Sequence, residues 1–145
     1  MRVYLYFDTE NVRLEDFTPL MEQYIPNLEI TLTVSTNSKP LRLEFLPAFV
    51  SAKYKLNVIN MDPRAHNSMD FVLTAELTRR AFKAPKSLHI LVSNDQGFLA
   101  ALHYLNKEFG LRTYLRGSPK AIFDLLRKNG FNTESTPATP VGDKS

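Results

Sequence analysis

A chain of 145 residues, with 43% hydrophobic and 23% charged residues, has the make-up of a globular domain large enough to bury a core. It holds no cysteine, which excludes disulfides, thiolate zinc sites and cysteine nucleophiles together. The net charge of +3 leans toward phosphate-rich partners without demanding them. No basic segment followed by an apolar stretch opens the chain, and no apolar run approaches membrane-spanning length, so a cytoplasmic protein with no membrane partner is expected.

The first strand is expected at Val3–Phe7, an apolar and aromatic run that ends abruptly on Asp8. Glu15–Ile25 reads as a helix, with Leu20, Met21 and Tyr24 on one side. Leu28–Val34 follows as a strand. Leu41–Lys53 carries Leu43, Leu46, Phe49 and Val50 at helical spacing, although Pro47 interrupts it. Leu56–Asn60 is the third strand, and Asp62 before Pro63 reads as a turn. Ser68–Ala81 is a stronger helix, with Leu73, Leu77 and Ala81 a turn apart. Leu88–Val92 is a buried strand leading to Asp95. Gly97–Phe109 is a helix closed by Gly110, and Arg112–Leu115 is the last strand. Pro119–Lys128 is the last helix, with proline in its first turn. Beyond Phe131 the chain turns polar and proline-rich, and residues 132–145 are expected to form a flexible tail to a domain at 1–131.

Strands alternating with helices imply an α/β fold: a three-layer α/β/α sandwich around a central parallel five-stranded sheet. In such a sheet the carboxyl ends of the strands open into the ligand crevice. Asp8 and Asp95 follow the first and fourth strands, which become neighbours at the switch point of a doubly wound sheet. Asp70 opens a helix from the same edge. Three unpaired carboxylates would repel one another and raise their pKa values, and a bound Mg²⁺ or Mn²⁺ would relieve that. Each acid also has a structural explanation: a turn at Asp8, a favourable helix dipole at Asp70, a strand-to-helix turn at Asp95. Their shared edge is what favours a metal. Glu76 lies six positions after Asp70 and is either solvated or linked to a metal through water. His66, His89 and His103 show no ligand spacing. No P-loop and no nucleophile elbow is present.

Three segments taken in order, Asp8-Thr9-Glu10-Asn11, Asn67-Ser68-Met69-Asp70 and Ser93-Asn94-Asp95-Gln96-Gly97-Phe98, resemble the NYN branch of the PIN-like ribonuclease superfamily. The resemblance covers about residues 1–117 and implies a PIN-like fold and divalent-metal-dependent endonucleolytic cleavage of RNA, single-stranded or looped, by metal-activated water. It makes Asp8, Asp70 and Asp95 the metal-binding carboxylates. Asn11 becomes a catalytic-site partner that orients Asp8 or contacts substrate. Ser93 and Asn94 support the loop holding Asp95 on the substrate side. Arg64, Arg116 and Lys120 are the basic residues expected to steer the nucleic-acid backbone, RNA or another single strand. Relatives commonly dimerise, so a homodimer is an expectation for which the sequence locates no interface. One departure matters: relatives often carry a further acid where this chain has Gly97 and Leu99. That gap keeps a catalytically weak or silent RNA- or protein-binding module as the alternative. A DEDD-type exonuclease, suggested by Asp8-Thr9-Glu10, ranks third, because that family follows its first strand with an antiparallel hairpin.

Overall fold

The structure, a computed structural model, describes residues 2–23, 25–35, 54–61 and 68–131. The expected helix at Leu41–Lys53, Arg64, Asn67 and the tail at 132–145 lie outside the described residues.

Strands β1 (Val3–Phe7), β2 (Leu28–Ser35), β3 (Lys55–Met61), β4 (Leu88–Val92) and β5 (Thr113–Arg116) form one sheet in the order β3-β2-β1-β4-β5. Every pairing is parallel: Phe7 lies opposite Leu32 on one side and Val92 on the other. No antiparallel hairpin follows β1, which is the arrangement the exonuclease alternative requires. Between the strands run the short helix α1 (Pro19–Glu22), then α2 (Ser68–Lys83) and α3 (Leu99–Phe109), and α4 (Pro119–Lys128) follows β5.

Because side chains alternate across a strand, β1 and β4 feed two cores. Val3, Leu5 and Phe7, with Leu88, Ile90 and Val92, pack against Phe17, Leu20 and the apolar stripe Ile122, Phe123, Leu125 and Leu126 of α4. Tyr6 and Leu91 face the other way, onto Met69, Leu73, Leu77 and Ala81 of α2 and Leu102 and Leu105 of α3. A fully buried Leu or Phe contributes roughly 1.5–3 kcal/mol of transfer free energy, so both faces are firmly covered. The expected three-layer architecture is the one observed. No described helix is long and apolar enough to cross a membrane.

The largest revision is near the N-terminus. Glu15–Ile25 is not one helix but a 3-10 turn at Leu14–Phe17 followed by α1. Pro19 has no N–H to donate back along a continuous helix, so it starts a new one at its first position. Pro26 disfavours a helical conformation at Ile25, and the chain is already extended at Gln23. At the other end of the chain the boundaries of α4 match the expectation residue for residue. Gly110 caps α3 in the left-handed region, with φ of 65°, where a side chain would be strained.

The parallel order places the carboxyl ends of β1 and β4 side by side at the centre of the sheet. Chains leave them in opposite directions, so a crevice opens there.

Candidate metal centre

Asp8 is the first residue beyond β1, and it is fully buried. Its backbone N–H donates to the Val92 carbonyl at 3.0 Å, while its own carbonyl accepts from Asn11 and Val12, each at 3.0 Å. That tight turn fixes the side chain over the switch point. The two carboxylate oxygens then differ sharply. Oδ2 accepts from Asn11 Nδ2 at 2.6 Å and from Ser93 Oγ at 2.7 Å. Oδ1 is buried with no hydrogen-bond partner among the described residues. An unpartnered, buried carboxylate oxygen is costly unless a cation or donor completes it.

Two further acids lie close to this carboxylate. One oxygen from each of Asp8, Glu10 and Asp70 lies within 4.8 Å of the others. The group is graded, from buried Asp8 through half-buried Asp70 to exposed Glu10, so it has a fixed floor and an open mouth. Burial, and then the negative charges of Asp8 and Asp95, push the Asp70 carboxyl above the usual carboxylate range. The native state therefore holds that proton more tightly than the unfolded chain. Stability of the metal-free protein from this group falls as pH rises through its native titration. Hard oxygen donors in this number suit a divalent cation such as Mg²⁺ or Mn²⁺.

Asp95 stands beside this trio rather than within it. Its Oδ1 accepts from the Gly97 N–H at 2.8 Å, capping the 3-10 turn Gln96–Phe98 that leads into α3. It remains near enough to raise the Asp70 pKa. Ser93 joins the two ends of the crevice: its Oγ donates to Asp8 and accepts from the Asp95 N–H at 3.0 Å. Ser93 is buried, so it positions the acids and offers no surface to substrate. Asn94 is exposed, and its side chain lies over Gly117. A Cβ on Gly117 would come within 1.9 Å of Asn94 Oδ1, so only glycine allows this approach. Gly97 is less tightly placed: its Cβ would sit 3.0 Å from Asp95 Oδ1, which a small shift of that side chain relieves. Gly97, one of the two positions where the family resemblance implies a further acid, here donates its N–H to Asp95.

Of the expected basic residues, Arg116 ends β5 beside the crevice. Its guanidinium stacks over Tyr114 at 5.6 Å and donates to the Leu115 carbonyl at 2.7 Å. Lys120 pairs with Asp124 at 2.9 Å on the outside of α4. Glu76 is taken by Arg79 and Arg80, and hydrogen bonds from Arg79 and Arg80 hold its carboxyl below the usual range despite partial burial. It belongs to an ion-pair network on α2 and not to the acidic trio.

The acidic group also brings in Glu10, which was not among the residues expected to hold a metal. The signal was available, since Asp8 and Glu10 flank Thr9 in a turn. Thr9 Oγ1 donates to the Thr33 carbonyl at 2.7 Å, pinning the turn so that both flanking acids face one point.

No curated protein and no solved structure gives a match to the chain. Residues 2–113 match the family model described as a PIN domain, a span from the start of β1 to the start of β5 that includes all four acids of the crevice, and the chain belongs to the PIN domain family.

Proposed function

We propose that this PIN domain is a divalent-metal-dependent endoribonuclease acting on single-stranded or looped RNA, with Asp8, Glu10 and Asp70 holding Mg²⁺ or Mn²⁺. The observations that carry the reading are the buried, unpartnered Oδ1 of Asp8 and the gathering of Asp8 with two further carboxylates at the switch point of the sheet. PIN domains are generally nucleases, which supports the same class of activity. A bound divalent cation supplies the charge that polarises a phosphodiester and activates water for attack on phosphorus.

The remaining roles fall to the chain's own side chains. Asn11 and Ser93 hold Asp8 rigid, so its free oxygen is already aimed when a cation arrives. Asp95, held by the Gly97 N–H, keeps negative charge beside Asp70 and orients donors on that side of the crevice. Arg116 provides a cation for the nucleic-acid backbone, and Lys120 adds a second once Asp124 yields it, since an exposed pair of that kind is weak. Glu10 supplies a third carboxylate, which offsets the acid missing at Gly97 and Leu99 and weighs against the silent binding-module alternative.

Circular single-stranded RNA tests the proposal, because a circle has no ends for an exonuclease. Linear products in Mn²⁺, none in EDTA, and none from a Glu10→Gln variant are the expected result. A folded protein that binds the circle equally in Mn²⁺ and EDTA without cutting it would move the function to the binding module.

A further inference from the structure

Phe71 is 73% exposed, the highest value among the large apolar side chains described. The other exposed aromatic residues share their cost: Phe82 meets Phe109 edge-on at 5.0 Å, and Tyr104 meets Phe109 at 5.9 Å. Phe71 has no aromatic partner among the described residues. Its place in the fold is specific. It follows Asp70 directly in the first turn of α2, on the side of the helix away from Met69, Leu73 and Leu77, which are buried. A step of one residue turns the helix by about 100°, so the ring flanks Asp70 on the solvent side. Helical side chains lean toward the helix N-terminus, here the end that faces the crevice.

We propose that Phe71 is a stacking platform for an unpaired nucleobase of the RNA strand whose phosphate occupies the acidic centre. The inference rests on the function proposed above and adds what selects its substrate. A base is one ribose away from its own phosphate, so a phosphodiester at Asp8, Glu10 and Asp70 puts a neighbouring base within reach of the ring at the rim. An exposed phenyl face recognises any base without reading its hydrogen-bonding edge, so the preference is for single strands without a sequence. A base inside a duplex is already stacked on both sides and cannot use the ring. Charge supports the same occupant, because an acidic centre accepts a polyanion only through its cation. An uncharged phenyl ring adds attraction there that the acids do not oppose, beside the charge that Arg116 offers the backbone.

The test is fluorescence anisotropy of a labelled oligouridylate in Ca²⁺, with strand integrity checked on a gel, beside an abasic ribose-phosphate strand of equal length. Phe71→Ala should weaken oligouridylate binding by about tenfold. It should leave the abasic strand unchanged, while Phe71→Trp restores binding and Phe82→Ala has no effect. Equal binding of oligouridylate by parent and Phe71→Ala overturns the stacking role alone, as does an equal loss on the abasic strand. A parent protein that binds neither strand overturns this inference together with the function beneath it. The position is exposed, and matched melting curves of parent and variant will separate recognition from folding.

Discussion

Asp8→Asn is expected to lower RNA cleavage by on the order of 10³-fold while raising the stability of the metal-free protein by about 1–2 kcal/mol. The two effects have one cause. In the parent, Asp8 Oδ1 is buried, ionisable and without a partner, close to Glu10 and Asp70. An asparagine keeps a single oxygen to accept from Asn11 and Ser93, as Oδ2 does now. Its amide nitrogen takes the place of Oδ1 and donates toward the remaining carboxylates. The repulsion disappears and the unsatisfied atom is satisfied, so the apo protein gains. The same change removes a ligand and a negative charge from the cation site, so the gain that Mn²⁺ gives the melting temperature of the parent is lost. Thermal melts with and without Mn²⁺, beside a cleavage assay, check both halves. Because Asp8 is one of the charges that raise Asp70, the Asp70 carboxyl should also titrate at lower pH in this variant. Side-chain carboxyl NMR reads that directly. An apo melting temperature that falls, with cleavage retained, would show that Asp8 is a structural turn residue.

Arg80→Ala should cost about 3 kcal/mol, or roughly 10 °C in melting temperature, with little change in Mn²⁺ affinity. Arg80 pairs with Glu29 of β2, which is only 4% exposed, and with Glu76 one turn earlier on α2 at 2.6 Å. Removing the guanidinium strands the Glu29 carboxylate in the interior between sheet and helix. Asn57 at 2.8 Å and Lys55 at 3.9 Å answer part of that charge, which keeps the cost at the low end for a broken buried pair. Glu76, whose native carboxyl titrates below the ordinary range, contributes stability that is complete at neutral pH and lost as pH falls through its native titration. The penalty should therefore shrink in acid. Six residues along an α-helix carry Glu76 about 9 Å from Asp70, so Glu76→Gln should leave the Mn²⁺ response intact. A loss of Mn²⁺ affinity in either variant would tie this network to the metal after all.

The sheet was legible because its strands are short, apolar and sharply ended. Val3–Phe7 and Leu88–Val92 were bounded correctly from side-chain pattern alone, and their terminal acids marked the crevice. The first helix was misjudged because apolar spacing across Glu15–Ile25 looks continuous, whereas proline at 19 and 26 divides it. Asp8 and Asp70 were visible as acids at strand and helix ends. Glu10 stands two residues after Asp8, but beyond the end of β1 neither the helix nor the strand period fixes whether two such side chains face one way. Only the turn pinned by Thr9 brings the two carboxylates together. Glu76 had two readings, solvated or linked to a metal through water. An acid six residues from a suspected ligand attracts notice in the sequence, but Arg79 and Arg80, three and four residues further on, are its partners. Asp95 shows a third limit. Its expected place among the metal ligands stands beside the cap it forms with the Gly97 N–H, which depends on backbone geometry that no pattern of side chains displays.

Isothermal titration of Mn²⁺ into the parent protein and into Glu10→Gln, at several pH values, tests the acidic centre most directly. The parent should bind Mn²⁺ with an affinity that rises with pH through the Asp70 titration, because the raised pKa makes protons compete with the metal. Glu10→Gln should bind at least about tenfold more weakly. A folded parent that takes up no Mn²⁺ at any pH, or a Glu10→Gln variant that binds as the parent does, would contradict a cation held by Asp8, Glu10 and Asp70.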